Sequence, residues 1–533
     1  MEDDALAVPT FNAEVIQVAI DRTAGTGHAA VIPPGIYVAH EPVELRSDVT
    51  LILAAGAILR RSFSNGAVLA QSGDTKIVNV KVIGGRIDNP QQLPGTSISV
   101  YGDNIEITGV EVIDFYTPGL GVLIVGDNNR LSGLRVVTSC TEAGAGGIRM
   151  AGGTNFLCSN CHVESGDDAL QFVPLSPNAG KVFENVSIAD SQYVNCVGIS
   201  AVARACVVFL ENRSSSIVMT ANVTNCAFIG IRGRGGSVGA MCATKGLGGQ
   251  PATGRISGIQ FLGVGLSVPA APDGGSFQVS RTIDGKDSNN DGGPIGQIDF
   301  IGCTAVGGSS QPGFSVENAA RVRWIGGSIA AGSSSTSAVS IAASTDCEIV
   351  DTTVACGDGA GATGILVTDG SGPSERVRIA GVSILGIPDT GTGVSLNRVN
   401  TSTVASTTFL RKQAATGTTG VLTAVCRNCV LEQNDMLYVD TPYTLHSSSG
   451  FISGALGVST SAAGTATLAA GTVDVAFAVA FLNDGYAVQL TGDAAGETFT
   501  FAHRAVGGFT INSSNQQSTA DVCWTALITQ FAT

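Results

Sequence analysis

The sequence predicts an all-β protein: a right-handed parallel β-helix with an N-terminal helical cap and a small C-terminal antiparallel β domain. Composition is the first reason, because charged residues are 13% of the 533 residues while glycine alone contributes 70. A hydrophobic fraction of 44% excludes a disordered chain. The second reason is a repeat, since short segments of alternating apolar residues recur about every 22 to 30 residues. A repeat of this length without a helix can bury its apolar side chains only by stacking on the next copy, so it predicts a solenoid.

Residues 1–48 are expected to cap the solenoid and lead into its first coil. An open solenoid end exposes unpaired strand edges, so a cap is needed there. Asn12 is a suitable N-cap for a helix that Gly25 would end. The apolar face of this helix would consist of Val15, Ile16, Ala19 and Ile20. A pair of strands around residues 33–38 would follow.

Residues 49–446 are expected to form the β-helix itself. The recurring segments start near Val49, Ile77, Ile105, Leu131, Leu157, Val182, Ile217, Ile256, Ile298, Val322, Ile349, Ile379 and Val404. The longer intervals between Val182 and Ile298 predict loop insertions. A leucine-rich solenoid would need a leucine ladder and a regular asparagine, which the repeats lack. A propeller usually carries aromatic signatures, and aromatic residues are only 5% of this chain.

Residues 447–533 are expected to form a separate antiparallel β module. Residues 447–471 are rich in Ser, Gly, Ala and Thr, and the spacing of the strands changes there. Four strands are predicted at residues 486–490, 497–501, 507–511 and 522–527. Such a module would serve trimerisation or contact with carbohydrate.

Charge and cysteine content limit the partners and the compartment. The formal charge of −15 argues against nucleic acid, whose binding needs clustered Lys and Arg. No apolar run of about 18 residues predicts membrane insertion, and the acidic start at Met1 does not resemble an export signal. The 13 cysteines suit small buried hydrophobes in a reducing cytoplasm. Cys158 with Cys161, and Cys426 with Cys429, have metal-ligand spacing but are interpreted as core and turn residues.

Three stretches carry a family resemblance: residues 15–21 with 32–37 and 49–51, residues 165–170 (Ser-Gly-Asp-Asp-Ala-Leu), and residues 485–488 through 508–511 to 524–526. With the repeat, they make the sequence resemble bacteriophage tailspikes, polysaccharide depolymerases of the pectate-lyase-like (polygalacturonase-like) β-helix superfamily. The resemblance implies a homotrimer attached to phage tail or baseplate proteins. It also implies synthesis in the host cytoplasm, location in the virion tail and action at the bacterial cell surface.

The same resemblance points to Asp167 and Asp168 as a catalytic pair. Hydrolysis of a glycosidic bond requires a general acid and a second carboxylate, and the polygalacturonase-like hydrolases imply Asp167 as the acid and Asp168 as its partner. Two of their other site positions are occupied here by Gly146 and Val197. Glu142, Glu164 or a carboxylate of a neighbouring subunit would have to replace the missing acid.

A structural role for the pair stays open beside the catalytic one. Leu170 and Phe172 share parity and should point inward, which by strict alternation sends Asp168 inward as well and leaves Asp167 outside. Asp168 would then cap backbone N–H groups at a corner of the coil. A bend after Gly166 could instead turn both carboxylates outward.

A basic segment follows the pair in the chain. Between residues 200 and 250 the basic residues are Arg204, Arg213, Arg232, Arg234 and Lys245, against the single acid Glu211. Stacking could bring Arg204, Arg232 and Arg234, with His162, over the same groove, where arginines would hold carboxylates of an acidic glycan. In β-helix lyases an Arg or Lys abstracts the proton beside a uronate carboxylate, so β-elimination is an alternative to hydrolysis.

No cofactor is expected, and calcium is the one metal with a candidate site. Asp287, Asn289 and Asp291 have the spacing of a calcium loop, but position 12 of that loop is Ile298 rather than an acid. The sequence therefore predicts a phage tailspike that binds and hydrolyses a bacterial surface polysaccharide, capsular or exopolysaccharide, with acidic sugars. The alternatives are a glycan-binding tail adhesin without catalysis, a polysaccharide lyase, and an exported pectinase-like enzyme.

Overall fold

The computed structural model describes fifteen stretches of the chain, which are residues 10–177, 181–214, 216–246, 250–268, 275–280, 293–370, 372–437, 439–446, 450–453, 461–468, 472–476, 486–492, 498–505, 508–517 and 521–528. Within them the chain winds through three parallel sheets, here named A, B and C, and each coil visits B, then A, then C. This is the predicted right-handed parallel β-helix.

Sheet A contains 16 described strands in an order that follows the chain. They are Thr10–Asn12, Gly35–Ala39, Ala57–Arg61, Arg86–Asp88, Glu111–Ile113, Arg135–Val137, His162–Ser165, Val197–Ser200, Arg232–Arg234, Gly265–Ser267, Thr304–Val306, Ser328–Ala330, Thr353–Ala355, Ser383–Ile387, Thr408–Arg411 and Asp435–Leu437.

Sheet B precedes sheet A in every coil. Its strands are Ala29–Ile32, Thr50–Leu53, Ile77–Ile83, the second half of Thr96–Thr108, Arg130–Ser132, Gly153–Thr154, Leu157–Ser159, Ile188–Ala189, Gln192–Val194, Val223–Thr224, Ala227–Ile229, Ile256–Leu262, Ile295–Ile301, Ala320–Ile325, Glu348–Val350, Ser374–Glu375, Arg378–Ala380, Val399–Asn400, Thr403–Ala405, Cys429–Glu432 and Gly450–Ser453. Two predicted starting points were wrong, because Val182 and Ile217 are exposed in loops and the strands begin later, at Ile188 and Val223.

Sheet C follows sheet A in every coil. Its strands are Val43–Leu45, Ala67–Gln71, the first half of Thr96–Thr108, Gly119–Val125, Ala145–Met150, Leu170–Phe172, Arg204–Asn212, Val238–Gly246, Phe277–Ser280, Phe314–Glu317, Ser337–Ala342, Thr363–Thr368, Thr392–Asn397, Thr419–Ala424 and Thr441–His446. Equivalent residues of successive coils lie side by side: Ile148, Leu170 and Cys206 form one inward row, and Arg149, Gln171 and Val207 the neighbouring outward row.

The corner between sheets B and A is built the same way in many coils. A residue with positive φ, such as Asn160, Asn195 or Gly230, starts the turn, and a buried side chain follows it. Glycine and asparagine adopt this left-handed backbone at low cost. Cys161 and Cys196 fill the buried position on adjacent coils, so these cysteines are core residues as predicted.

Aromatic side chains stack along the inner face of sheet B. Tyr193, Phe228, Phe261, Phe300 and Trp324 occupy equivalent positions in successive coils, and each is at most 1% exposed. Their ring centroids are 5.4, 5.0, 4.8 and 5.3 Å apart in that order. Stacked ring contacts of this kind stabilise a core beyond the burial of area alone.

The N-terminal cap is the helix Glu14–Thr23, and its packing differs in part from the prediction. Ile16 and Ile20 are fully buried, whereas Val15 is 51% exposed and lies outside the apolar face. Asn12 does accept a hydrogen bond from the Glu14 N–H, although Ala13 occupies the N-cap position. Stacking begins before residue 49, because Ala29–Ile32 and Gly35–Ala39 already pair with the next coil.

The C-terminal strands are antiparallel, as predicted. One sheet pairs Ser461–Thr467 and Tyr486–Gly492 with Asp521–Ile528, and the other pairs Thr472–Ala476 and Phe499–Ala505 with Gly508–Ser513. Parallel pairing continues to Gly450–Ser453, past the predicted boundary at residue 446. The described part of the chain contains no helix with the length and apolar character needed to cross a membrane.

Candidate active site

Asp167 and Asp168 lie at the corner where the chain leaves sheet A and enters sheet C. The preceding strand is His162–Ser165, and the following strand is Leu170–Phe172. Gly166 makes this corner possible, because a Cβ there would lie 2.4 Å from the carbonyl oxygen of Glu142 on the previous coil. The two coils therefore touch backbone to backbone beside the pair.

The two carboxylates bond to opposite neighbours in the stack. Asp167 is half-buried, and its Oδ2 accepts a hydrogen bond of 2.7 Å from the Gly144 N–H on the preceding coil. Asp168 is 8% exposed, and its Oδ1 accepts from the N–H and Nη1 of Arg204 on the following coil, at 3.2 and 3.4 Å. The inward parity predicted for Asp168 agrees with its burial, and both side chains join coils as a corner role requires.

Burial and charge act against each other at Asp168. Desolvation raises the pKa of its carboxyl, the guanidinium of Arg204 lowers it, and the charge of Asp167 raises it again, with a net upward shift. Arg204 also lies over the ring of Phe209, with 5.9 Å between the guanidinium carbon and the ring centroid. Arg204 is thus placed at the pair, as the sequence predicted.

Sequence reasoning missed Gln171 and Arg149, which extend the site along sheet C. Gln171 is fully buried, and its Nε2 donates a hydrogen bond of 2.6 Å to the carbonyl oxygen of Asp168. Its Oε1 accepts a 2.6 Å hydrogen bond from Nε of Arg149 on the previous coil. A signal was present, because both residues are polar positions between inward apolar neighbours in strands that pair with each other.

Beyond Arg149 lies a pocket of about 290 Å³ on the outer face of sheet C. Its charged lining residues are Arg149, Glu184, Glu211 and Arg213, and its other walls are Val173, Pro174, Leu175 and Ser176. Glu211 and Arg213 form an ion pair of 2.6 Å. Burial lowers the pKa of Arg149, so its guanidinium is poorly hydrated.

The remaining predicted acids and His162 lie around this corner rather than in it. Glu142 is exposed on the coil before Asp167 and raises the pKa of Tyr116 by its charge. Glu164 lies on the outer face of sheet A, where it pairs with His162 at 2.6 Å and both side chains are about 40% exposed. Position 146 has no room for a larger side chain, since a Cβ at Gly146 would lie 2.7 Å from Nε2 of Gln171.

The expectation that Arg232 and Arg234 share a groove with the pair is wrong. Both side chains are exposed on the outer face of sheet A, in a strand two coils beyond His162–Ser165, whereas Asp168 lies at the start of sheet C. Arg232 donates a hydrogen bond of 2.8 Å to the carbonyl oxygen of Gly263. The error arose because proximity in sequence did not reveal which sheet each arginine would join.

Two sets of possible metal ligands remain. The calcium candidates Asp287, Asn289 and Asp291 lie outside the described residues. Within the described residues, the Sγ atoms of Cys158, Cys161 and Cys196 lie within 4.8 Å of one another in the core. Hydrogen bonds from Cys158 and then Cys161 lower the pKa of the Cys196 thiol, whereas burial raises that of Cys158. A thiophilic metal is the only kind that such a set could hold.

Fold and site together define a class: right-handed parallel β-helix proteins with a polar site on an outer sheet face. No protein-family model matches the sequence, and no curated protein matches it. Among solved structures, a double mutant of the tailspike protein of E. coli bacteriophage HK620 in complex with a pentasaccharide has a TM-score of 0.51 at 12% identity, over 97% of this chain and 90% of that one. A further mutant of that tailspike has a TM-score of 0.51 at 12% identity, over 97% of this chain and 89% of that one. The family 28 exopolygalacturonase of Yersinia enterocolitica has a TM-score of 0.40 at 13% identity, over 83% of this chain and 75% of that one. The tailspike matches confirm the predicted fold.

Proposed function

We propose that the chain is a homotrimeric phage tailspike that binds and hydrolyses a bacterial surface polysaccharide with acidic sugars. One observation carries the proposal: two adjacent carboxylates of different burial lie at the edge of an outer sheet face that also presents two partly buried arginines, Arg149 and Arg204. The fold shared with a tailspike that was solved with a pentasaccharide supports it. Attachment to tail or baseplate proteins belongs to the same proposal.

The environment of the pair favours Asp168 as the general acid. A carboxyl group with a raised pKa stays protonated to higher pH and can deliver its proton to the leaving oxygen. Asp167 is half-buried and would activate the attacking water. This allocation is the reverse of the one implied by the polygalacturonase-like enzymes. Arg204 would keep Asp168 in place through its two hydrogen bonds to Oδ1, which leave Oδ2 to carry the proton.

The test is to incubate the protein with a panel of capsular polysaccharides and exopolysaccharides. New reducing ends without ultraviolet absorbance of unsaturated uronates would show hydrolysis. Absorbance would show β-elimination, and the protein would then be a polysaccharide lyase rather than a hydrolase. Cleavage of none of the polysaccharides by the intact protein, with binding retained, would contradict the enzymatic proposal.

A second candidate is a glycan-binding adhesin without catalysis. It is favoured by one observation, which is that both carboxylates accept backbone N–H groups of neighbouring coils and so have a structural use. In that case Asp168 would serve the stack alone, and glycan binding would survive its replacement. The Asp-to-Asn variants discussed below separate the two candidates.

A further inference from the structure

Arg149 is a partly buried cation whose charge is unpaired in the described part of the chain. Its Nε bonds to Gln171, and no carboxylate among the described residues forms an ion pair with it. Burial lowers the pKa of its guanidinium, which means that the positive charge is held at a cost. A cation in this state attracts an anion from solution.

The nearby carboxylates are already engaged, including Glu184 in the lining of the pocket. The Asp168 carboxylate accepts from Arg204, the Asp167 carboxylate from the Gly144 N–H, and Glu211 pairs with Arg213. Each of these acids influences Arg149 only at longer range. Among the described residues, the two terminal nitrogens of Arg149 therefore remain for a ligand, and their planar fork matches a carboxylate.

The pocket in front of Arg149 fits one sugar residue. Its volume of about 290 Å³ lies near the lower end of the range for small-molecule sites. Val173, Pro174 and Leu175 supply an apolar wall for the C–H face of a ring. Arg149 lies one coil before the Asp pair, and Gln171, its in-register neighbour, is three residues after Asp168.

We infer that this pocket is a binding subsite for the carboxylate of an acidic sugar, with Arg149 as its anion-binding residue and Gln171 as the residue that positions Arg149. The inference deepens the proposed function and rests on it for the polymeric substrate. Gln171 links the subsite to the proposed acid, because the same side-chain amide bonds to Arg149 and to the Asp168 carbonyl. A bound uronate would thus be held in a fixed register relative to the pair.

The test uses monosaccharides, so that it does not depend on identifying the polysaccharide. Saturation-transfer NMR would measure binding of glucuronate and galacturonate, with glucose and inorganic phosphate as the neutral and non-sugar probes. Arg149→Gln should weaken uronate binding at least tenfold, and Arg149→Lys should restore only part of it. Arg135→Gln is the matched control, because Arg135 is exposed on sheet A of the same coil. Its uronate binding should equal that of the wild type, and melting temperatures would verify folding.

Three outcomes would overturn the inference: uronate binding that Arg149→Gln leaves unchanged, glucose bound as well as uronate, or phosphate competing as well as uronate. Failure of the proposed function looks different. If uronate binding depends on Arg149 but no polysaccharide is cleaved, the enzyme fails and the subsite stands. If a polysaccharide is cleaved and Arg149→Gln weakens binding of the carboxyl-reduced polysaccharide by the same factor as binding of the acidic one, the subsite fails and the enzyme stands.

Discussion

At the scale of the residue, Asp167 and Asp168 differ in what surrounds them although they are adjacent. Asp168 is buried beside the guanidinium of Arg204, whereas Asp167 is half-buried and accepts one backbone N–H hydrogen bond. This difference is what general acid and base roles require. It also means that the two residues should respond differently to the same substitution.

Replacing either aspartate by asparagine should lower turnover by about 10² to 10⁴, because proton transfer is lost while shape is kept. Asp168→Asn should also cost about 1 to 3 kcal/mol in unfolding free energy, since it weakens a partly buried hydrogen bond from Arg204. Asp114→Asn is the control, as Asp114 also follows a sheet A strand and accepts the Ser139 N–H. Turnover per folded molecule and melting temperature would be measured on all three. Full turnover of Asp168→Asn in its folded fraction would support the adhesin.

The pH dependence follows from the raised pKa of Asp168. A carboxyl whose pKa is higher in the folded state than in the unfolded state binds more protons when folded, so its contribution to stability is present at low pH and is lost as pH rises. Denaturant unfolding should therefore show wild type gaining stability relative to Asp168→Asn as the pH falls toward the ordinary aspartate pKa of about 4. The alkaline limb of kcat/KM should be set by the same group. A stability difference that is flat over this range would contradict the assignment.

Part of this site could be predicted from the sequence. Alternation from Leu170 and Phe172 places Asp168 inward, and the structure agrees. The Arg149–Gln171 contact could not be predicted with the same ease, because it depends on the register between two coils. That register is set by the length of the intervening corners, which varies from coil to coil.

At the scale of the element, the corners decide what each coil can carry. The turn from sheet B to sheet A is short and uniform, so it positions core side chains such as Cys161 and Cys196. The connections from sheet C to sheet B carry the insertions, as between Phe172 and Ile188. Repeat length predicted these insertions, but two of the strands that follow them begin later than expected, at Ile188 and Val223, because loops have no period of their own.

Gly166→Ala tests the corner that holds the pair. The added Cβ would lie 2.4 Å from a backbone carbonyl oxygen that cannot move without shifting the coil, so we expect a loss of about 1 to 3 kcal/mol. Gly359→Ala is the control, because no atom lies within 4 Å of a Cβ built there. Chemical denaturation would measure both. Equal stability of the two variants would show that the corner adapts.

At the scale of the whole molecule, one face of the β-helix carries no charge over a long stretch. The outward positions on sheet A carry no charge in six successive described coils, which contribute Gly265 and Ser267, Thr304 and Val306, Ser328 and Ala330, Thr353 and Ala355, Ser383 and Leu385, and Thr408 and Leu410. Depletion of charge is typical of the centre of a protein–protein interface. This face is therefore where we place the contact between subunits in the proposed homotrimer.

Leu385→Lys should dissociate that trimer, because a charge would have to be buried without a partner. Thr403→Lys is the matched control on the outer face of sheet B. Light scattering at micromolar concentration should report a trimer for wild type and the control, and a smaller species for Leu385→Lys. A wild-type monomer would refute the homotrimer, and a trimeric Leu385→Lys would move the contact to another face.

The aromatic row inside sheet B has an optical consequence. The chain has two tryptophans, of which Trp324 ends that row, fully buried with its indole N–H on the Gly326 carbonyl, while Trp524 belongs to the antiparallel strand Asp521–Ile528. Single-tryptophan variants would therefore emit from the coil or from the C-terminal strands alone. The fluorescence of the two variants during heating would show whether the coil or the C-terminal strands unfold first.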